Sequence, residues 1–383
     1  MRVLMLSKAC VVGAYQTKLE ELARLPEMDL TVVVPPYWRD EQGVVELERQ
    51  HTAGYDLLVE PMAFNGNYHL HFYPGLGKRI KQVRPDLVHI DEEPYNMATA
   101  HALWLARRAG AHSLFFSWQN LLRRYPLPFR LIERYVLSRA EYCIAGNQES
   151  ARVWPAKGYR GPLAVIPQFG VDPDIFCPAS RPTGPRGAGR GFIVGYVGRL
   201  VEEKGVDLLL EALAGLPGTW RAYVLGSGPA GEQLQAQAQE LGLTSRVSFD
   251  QWIPSTQMPA YYRQLDALVL PSRTRPNWKE QFGRVLVEAM ACGVPVISSD
   301  CGELPNVAGV AGLVFPEGQA DALTAHLARL LADPELCADL ARRGRERVLA
   351  HYTQAQIAAQ TYQVYQRLLA SNIHPPFARK TAL

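Results

Sequence analysis

Two glutamates, Glu280 and Glu288, bracket the stretch EQFGRVLVE with seven residues between them. The run Val285 to Cys292 has the apolar spacing of a helix. Gly283 falls at its first turn, where free backbone N–H groups and the positive end of the helix dipole attract an anion. Glu288 follows about one and a half turns later, and a carboxylate there can accept two hydrogen bonds from vicinal hydroxyls, as a ribose offers. Glu280, just ahead of the helix, can reach a hydroxylated ring on the other side of the anion. Sugar, phosphate and ribose in that order describe a nucleotide-sugar. Two solvated glutamates near a helix fit the same spacing, so a second anion-binding element is needed.

That element is the segment FIVGYVGRLVEEKGVDLLLEAL. Phe192 to Val197 reads as a buried strand, Gly198 allows a tight exit, and Asp207 to Leu213 has helical spacing. Arg199 and Lys204 lie between them on a strand-to-helix loop, at the sheet edge where open α/β proteins bind ligands. A planar guanidinium and a mobile ammonium both suit a diphosphate, and neutralising a departing one is transition-state stabilisation. The alternative is a solvated ion-pair cluster of these cations with Glu202 and Glu203.

Together, VGRLVEEKG, the E-x-F-G-x-x-x-x-E pattern and AMACGVPVISS resemble the family-4 retaining glycosyltransferases, which have the GT-B fold. The resemblance is strong from about Gly191 to Phe315 and looser over the N-terminal half, including GVDPDIF at Gly170 to Phe176. It implies two Rossmann-like doubly wound parallel-sheet domains facing a central cleft, with a C-terminal helix crossing back onto the first. It implies that Arg199 and Lys204 contact the donor diphosphate, that Glu280 approaches the donor sugar, and that Glu288 binds the ribose. Arg199, Lys204 and Glu280 are thus the catalytic set. The amides after Phe282, at Gly283, would face the phosphates. The family account of retention is front-face attack with the leaving phosphate taking the acceptor proton, so no enzyme nucleophile is assigned. Neither metal nor cofactor is expected.

The chain has 383 residues, 48% of them hydrophobic, and a net charge of +3. Its length calls for two domains, and the mild charge gives no case for nucleic acid. No apolar run approaches the ~20 residues of a membrane helix. RVLMLS reads as a first strand, not a signal peptide. Six cysteines show no zinc spacing and read as reduced packing residues in a cytoplasmic protein. The Pro-, Gly- and Arg-rich stretch from 178 to 191 reads as a linker. It separates an N-terminal acceptor-side domain (1–178, completed by 353–383) from a donor domain (190–352). Six strand candidates precede it, from Val3–Leu6 to Leu163–Ile166, and six follow, from Phe192–Val197 to Gly312–Phe315. Their alternation with helical runs implies parallel sheets.

Smaller features remain open at this level. The glycines Gly226 and Gly228 of LGSGP let the backbone approach a nucleotide, or form a plain turn. Trp252 and Ile253 stand where the resembled family packs the base; a buried loop tryptophan is the alternative. Many of its members carry a glycine-rich loop after the first strand, whereas SKACVVGAYQTK has Gly13 alone, which is left as the candidate there for positioning the acceptor or sugar. Gln119 stands where many of them have histidine; it can position hydroxyls but not transfer a proton, and a polar residue satisfied at a strand end is the alternative. Alternation puts His69 and His71 on one strand face; a sugar-facing or structural role is expected of them, not a metal. Asp91, Glu92 and Glu93 bind acceptor hydroxyls or cap the following helix. The segment 121–139, LLRRYPLPFRLIERYVLSR, mixes arginines with apolar residues, as a membrane-resting patch or as a packed helix with a basic outer face.

The expectation is a retaining glycosyltransferase that moves a sugar from a nucleoside-diphosphate sugar to a hydroxyl acceptor, such as a glycan or lipid-linked saccharide. The rivals are a GT-B-like sugar-nucleotide epimerase and a non-catalytic nucleotide-sugar-binding protein.

Overall fold

The computed structural model describes residues 1–40, 43–178 and 191–370. The chain forms two compact units: residues 1–170 with the stretch from Gln354, and Val171–Thr353. Most of the linker read at 178–191 lies outside the described residues. The division falls ahead of it, because Val171–Cys177 is held within the second unit. There the Arg345 guanidinium donates to the carbonyls of Pro173, Phe176 and Ala291 at 2.6–2.9 Å, and the Arg263 guanidinium donates to that of Cys177 at 2.7 Å.

The first unit holds β1 (Arg2–Leu6), β2 (Asp29–Val34), β3 (Tyr37–Asp40), β4 (Gly43–Glu46), β5 (Asp56–Val59), β6 (Leu87–Ile90), β7 (His112–Ser117), β8 (Tyr142–Ala145) and β9 (Leu163–Val165). Seven of these form a parallel sheet in the order β5-β2-β1-β6-β7-β8-β9, and β3 and β4 pair antiparallel by themselves. Successive side chains of a strand point to opposite faces. Accordingly Val3 and Met5 enter one core and Leu4 and Leu6 another. This is why β1 reads as a continuous apolar run from Val3 to Leu6. The helix Gln354–Ala370 covers the first of these faces with Ile357, Val364, Tyr365 and Leu368.

The second unit holds β10 (Phe192–Val197), β11 (Trp220–Leu225), β12 (Val247–Asp250), β13 (Ala267–Leu270), β14 (Val296–Ser299) and β15 (Leu313–Phe315), parallel in the order β12-β11-β10-β13-β14-β15. In each sheet the strand order reverses beside the first strand, between β1 and β6 and between β10 and β13. That reversal opens a crevice at the carboxyl edge, where doubly wound sheets bind ligands. Each of the twelve strands read from the sequence overlaps an observed one. Missing from that reading are β5, an edge strand with no fully buried residue, and the half-exposed β3–β4 pair. One reading is corrected: Tyr68–Leu70 form a turn, so His69 and His71 do not share a strand face.

Candidate active site

In the second unit, β10 and β11 leave the sheet together. Gly198 N–H donates to the Leu225 carbonyl at 3.0 Å and Leu200 N–H to that of Ser227 at 2.9 Å. Gly226 has φ +151°, and a Cβ there would lie 1.9 Å from the Gly198 carbonyl oxygen; at Gly228 it would lie 2.3 Å from that of Leu200. These glycines let the two exit loops press on one another, so their close approach is to protein backbone. Arg199 is left exposed on this loop. The next turn, Glu202–Lys204, brings Lys204 Nζ to 2.5 Å from Glu280 Oε2 and 4.9 Å from the centroid of the Trp278 ring. The same carboxylate oxygen accepts a bond from Ser272 Oγ at 3.0 Å. Glu202 pairs with Arg275, and Asp207 with Arg273 at 2.8 Å. The cluster of Arg199 and Lys204 with Glu202 and Glu203 is therefore not what forms.

The helix after Glu280 runs Arg284–Ala291, one residue earlier than its apolar spacing suggests. Gly283 stands just before its first turn, at φ +75°, with Leu304 packed where a side chain would go. Both glutamates are 8% exposed, which rules out two solvated surface carboxylates. Glu288 accepts the Tyr262 hydroxyl on Oε2 at 2.7 Å and the Arg284 Nε–H on Oε1 at 2.8 Å. Burial first, and the Glu288 charge next, push the Tyr262 phenol far above its ordinary range. Phe282 packs edge-on to Tyr352 with ring centroids 5.7 Å apart. Ile253 is partly buried on the same core. Trp252 is 63% exposed, so it is not a buried loop tryptophan.

In the first unit, the carboxyl ends of β1, β6 and β7 carry a second polar group. Asp91 is buried and accepts from Ser7 Oγ at 2.6 Å and Gln168 Nε2 at 2.9 Å. Glu92 is buried between Lys8 and His71, whose Nε2 lies 3.4 Å away. Burial alone would raise the Glu92 carboxyl; Lys8 and then His71 override it and hold it at about 2. Neither acid caps the helix Met97–Ala109, whose start has no side-chain cap. Glu93 is different. Partly exposed, it accepts the Ser117 hydroxyl at 2.5 Å and the Trp118 N–H at 2.7 Å, and burial pushes it up to about 7. Gln119 is buried, its Nε2 donating to the Leu121 carbonyl at 2.8 Å and its Oε1 accepting the Tyr125 hydroxyl at 3.2 Å. It holds the loop that carries Leu121 to Tyr125. The Gly13 N–H donates to Glu48 Oε2 at 2.7 Å, and Gln50 packs where a side chain at this position would go. His69 packs on Phe129, Tyr95 and Tyr125. Among the described residues no group of three or more His, Cys, Asp or Glu is placed to hold a metal.

The sequence reading missed Ser272, Tyr262 and Trp278. Arg284 was legible as an i, i+4 partner of Glu288; Tyr262 comes from a separate helix, and Ser272 and Trp278 lie on the irregular loop before Glu280, where no periodic pattern marks a contact.

Comparison with known proteins fits this geometry. Residues 186–347 match the family model for glycosyl transferases group 1. Residues 19–175 match that for glycosyltransferase family 4. The chain is 33% identical over 366 residues to the GDP-mannose-dependent alpha-(1-6)-phosphatidylinositol monomannoside mannosyltransferase of Mycolicibacterium smegmatis, covering 89% of this chain and 91% of that protein. It is 33% identical over 224 residues to the D-inositol 3-phosphate glycosyltransferase of Mycobacterium tuberculosis, covering 54% of this chain and 45% of that one. Among solved structures, Anabaena HepE in complex with UDP superposes with a TM-score of 0.73 at 21% identity, covering 96% of this chain and 100% of that one. Sucrose-phosphate synthase from Thermosynechococcus elongatus gives 0.72 at 22%, covering 96% and 99%. Two Rossmann-like units with this carboxylate pair define a glycosyltransferase of the GT-B fold. The chain belongs to glycosyltransferase family 4.

Proposed function

We propose that this chain is a retaining hexosyltransferase that takes a sugar from a nucleoside-diphosphate sugar and gives it to a hydroxyl of a glycan or lipid-linked saccharide in envelope or exopolysaccharide synthesis. The observation that carries the reading is the group on the second unit's carboxyl edge: Lys204 bonded to buried Glu280 at 2.5 Å, with Arg199 exposed on the same loop. Departure of the diphosphate builds negative charge on its β-phosphate, and Arg199 and Lys204 are the cations that meet it. Glu280 is engaged by Lys204 and Ser272, which suits a role in gripping sugar hydroxyls. In this reading the leaving phosphate takes the acceptor proton, no enzyme carboxylate forms a covalent intermediate, and no metal is required. Glu288 holds the ribose, with Gly198, Ile253, Phe282 and Gly283 shaping the nucleotide end. In the first unit Glu93 and Gln119 position the acceptor.

The curated relative over most of the length uses GDP-mannose and a phosphatidylinositol mannoside by its name, so GDP-mannose is the first donor to test. A lipid-linked acceptor is favoured by one further feature. Leu122, Leu127 and Leu131 are 65%, 60% and 47% exposed, and Arg123, Arg124, Arg130 and Arg134 are exposed among them. The inner side of the helix Phe129–Arg139 buries Glu133, Val136 and Leu137, so Leu131 on its outer side is surplus to that packing. Such a surface fits peripheral contact with the anionic inner leaflet. Among the described residues no helix is long and apolar enough to cross a membrane.

A thermal-shift screen of nucleotide-sugars tests the donor, since a ligand of the folded form raises its melting temperature. The expected result is a shift by one nucleotide-sugar and transfer to a saccharide acceptor with the anomeric configuration kept. Inversion at the anomeric carbon overturns the retaining reading. C2 epimerisation of the donor without acceptor favours the epimerase, and donor binding without transfer to any acceptor favours a binding protein. Flotation with anionic vesicles at low salt tests the membrane reading, and no binding there removes it.

A further inference from the structure

The loop from Pro271 to Gly283 contains a tight reversal that the donor-site reading does not use. Arg275 and Trp278 exchange backbone hydrogen bonds, Arg275 N–H to the Trp278 carbonyl at 2.8 Å and Trp278 N–H to that of Arg275 at 3.1 Å. This reversal is fastened to the loop carrying Lys204 at three points. The Arg275 guanidinium pairs with Glu202. The Arg273 guanidinium pairs with Asp207 at 2.8 Å. Arg273 N–H donates to the Glu203 carbonyl at 2.8 Å. The effect is to hold the Trp278 ring, half-buried on the core, 4.9 Å from Lys204 Nζ. The ammonium is thereby bracketed by a carboxylate and the face of an indole, the aromatic ring that attracts a cation most strongly.

A lysine side chain has four rotatable bonds and a strongly hydrated head, so a fixed position has to be imposed on it. Glu280 alone cannot do this through a binding cycle, because a phosphate oxygen arriving at Lys204 competes with that carboxylate. The indole has no charge to be displaced by an anion. Resting on the reading of Lys204 as a diphosphate ligand, we propose that Trp278 is a positioning residue. It keeps the Lys204 ammonium on its ring while the counter-ion changes from Glu280 to the donor diphosphate, which frees Glu280 for the sugar.

The test is titration of inorganic pyrophosphate, GDP and UDP into wild type, Trp278→Phe, Trp278→Leu and Lys204→Ala, with Kd as the readout. Trp278→Phe, which keeps an aromatic face, should bind within about threefold of wild type. Trp278→Leu, apolar but without that face, should bind about 3- to 30-fold more weakly. Equal binding by Trp278→Leu and wild type overturns the proposal while leaving the role of Lys204 intact. Wild-type binding by Lys204→Ala, or no binding of any of the three anions by wild type, instead overturns the donor-site reading and the proposal with it. A measurement on the unsubstituted chain guards against loss of folding in the variants. With ¹³C-lysine labelling, the Lys204 Hε resonances, identified by their absence in Lys204→Ala, should be displaced upfield by the indole ring. They should stay upfield when pyrophosphate is added; a return to the ordinary position on binding refutes the proposal.

Discussion

Replacing Glu288 by alanine separates the ribose contact proposed for this carboxylate from its structural role, and both can be sized from the structure. A carboxylate has about four acceptor positions. Two are used, by the Tyr262 hydroxyl at 2.7 Å and Arg284 Nε–H at 2.8 Å, which leaves two for the vicinal hydroxyls of a ribose. Hydrogen bonds to a charged group contribute about 1.5–3 kcal/mol each. Losing two costs about 3–6 kcal/mol, or roughly 10²- to 10⁴-fold in kcat/KM. The second job is structural. Without Glu288 the buried Tyr262 hydroxyl has lost its acceptor, at about 1–3 kcal/mol, and in a domain of this size melting falls by roughly 2–4 °C per kcal/mol. Arg284 is partly exposed, and water takes over its lost bond at little cost. The double variant Tyr262→Phe/Glu288→Ala removes the stranded hydroxyl as well, so it should recover melting temperature but no activity. The assay is initial-rate transfer over a donor series, beside a melting curve for each protein. A folded Glu288→Ala enzyme with kcat/KM within about threefold of wild type refutes the assignment. Recovery of activity in the double variant would show that the loss came from folding.

Lys204→Ala should lower transfer by about 10²- to 10³-fold, the usual loss on removing one group that stabilises transition-state charge, with the circular dichroism spectrum unchanged; near-wild-type turnover would refute the cation's role. Gly226→Ala places a Cβ 1.9 Å from the Gly198 carbonyl oxygen at φ +151°, so backbone strain alone should cost about 1–3 kcal/mol, read by urea unfolding. A variant as stable as wild type would contradict the close packing of the two exit loops. Glu93 has an ordinary value of 4.5 and is pushed up to about 7 in the fold. Between those values the folded form binds more protons than the unfolded one, so this group's contribution is present below about 4.5 and lost as pH rises through about 7. Glu93→Gln should flatten that decline in melting curves between pH 5 and 8, and an unchanged slope would show that Glu93 does not titrate there.

Much of the fold was legible because parallel strands covered on both faces must be apolar at every position. Phe192–Val197 shows this, with every residue buried, and Leu87–Ile90 departs from it only at His89, which is buried against the Tyr365 hydroxyl at 2.6 Å. The edge strand Asp56–Val59 and the pair Tyr37–Asp40 and Gly43–Glu46 escaped because their residues are mostly half-exposed and carry no such run. NYHLHFY misled because alternation is a pattern any short turn can mimic. Its His71 is buried through a contact with Glu92, at the end of a strand with which it shares no local sequence.

Sequence by itself determined the ingredients of the proposed donor site. A loop with Arg199 and Lys204 after an apolar strand, and two glutamates eight positions apart at a helix start, are local patterns, and local geometry fixes their meaning. Tertiary structure alone decided which groups meet. Lys204 and Glu280 are 76 residues apart in the chain and 2.5 Å apart in space. Tyr262 reaches Glu288 from the helix Met258–Tyr262, and Trp278 reaches Lys204 only because Arg273 and Arg275 tie two loops together. The physical reason is that the order of strands in a parallel sheet differs from their order in the chain. The edge where β10 and β13 lie side by side gathers loops whose proximity no local pattern encodes.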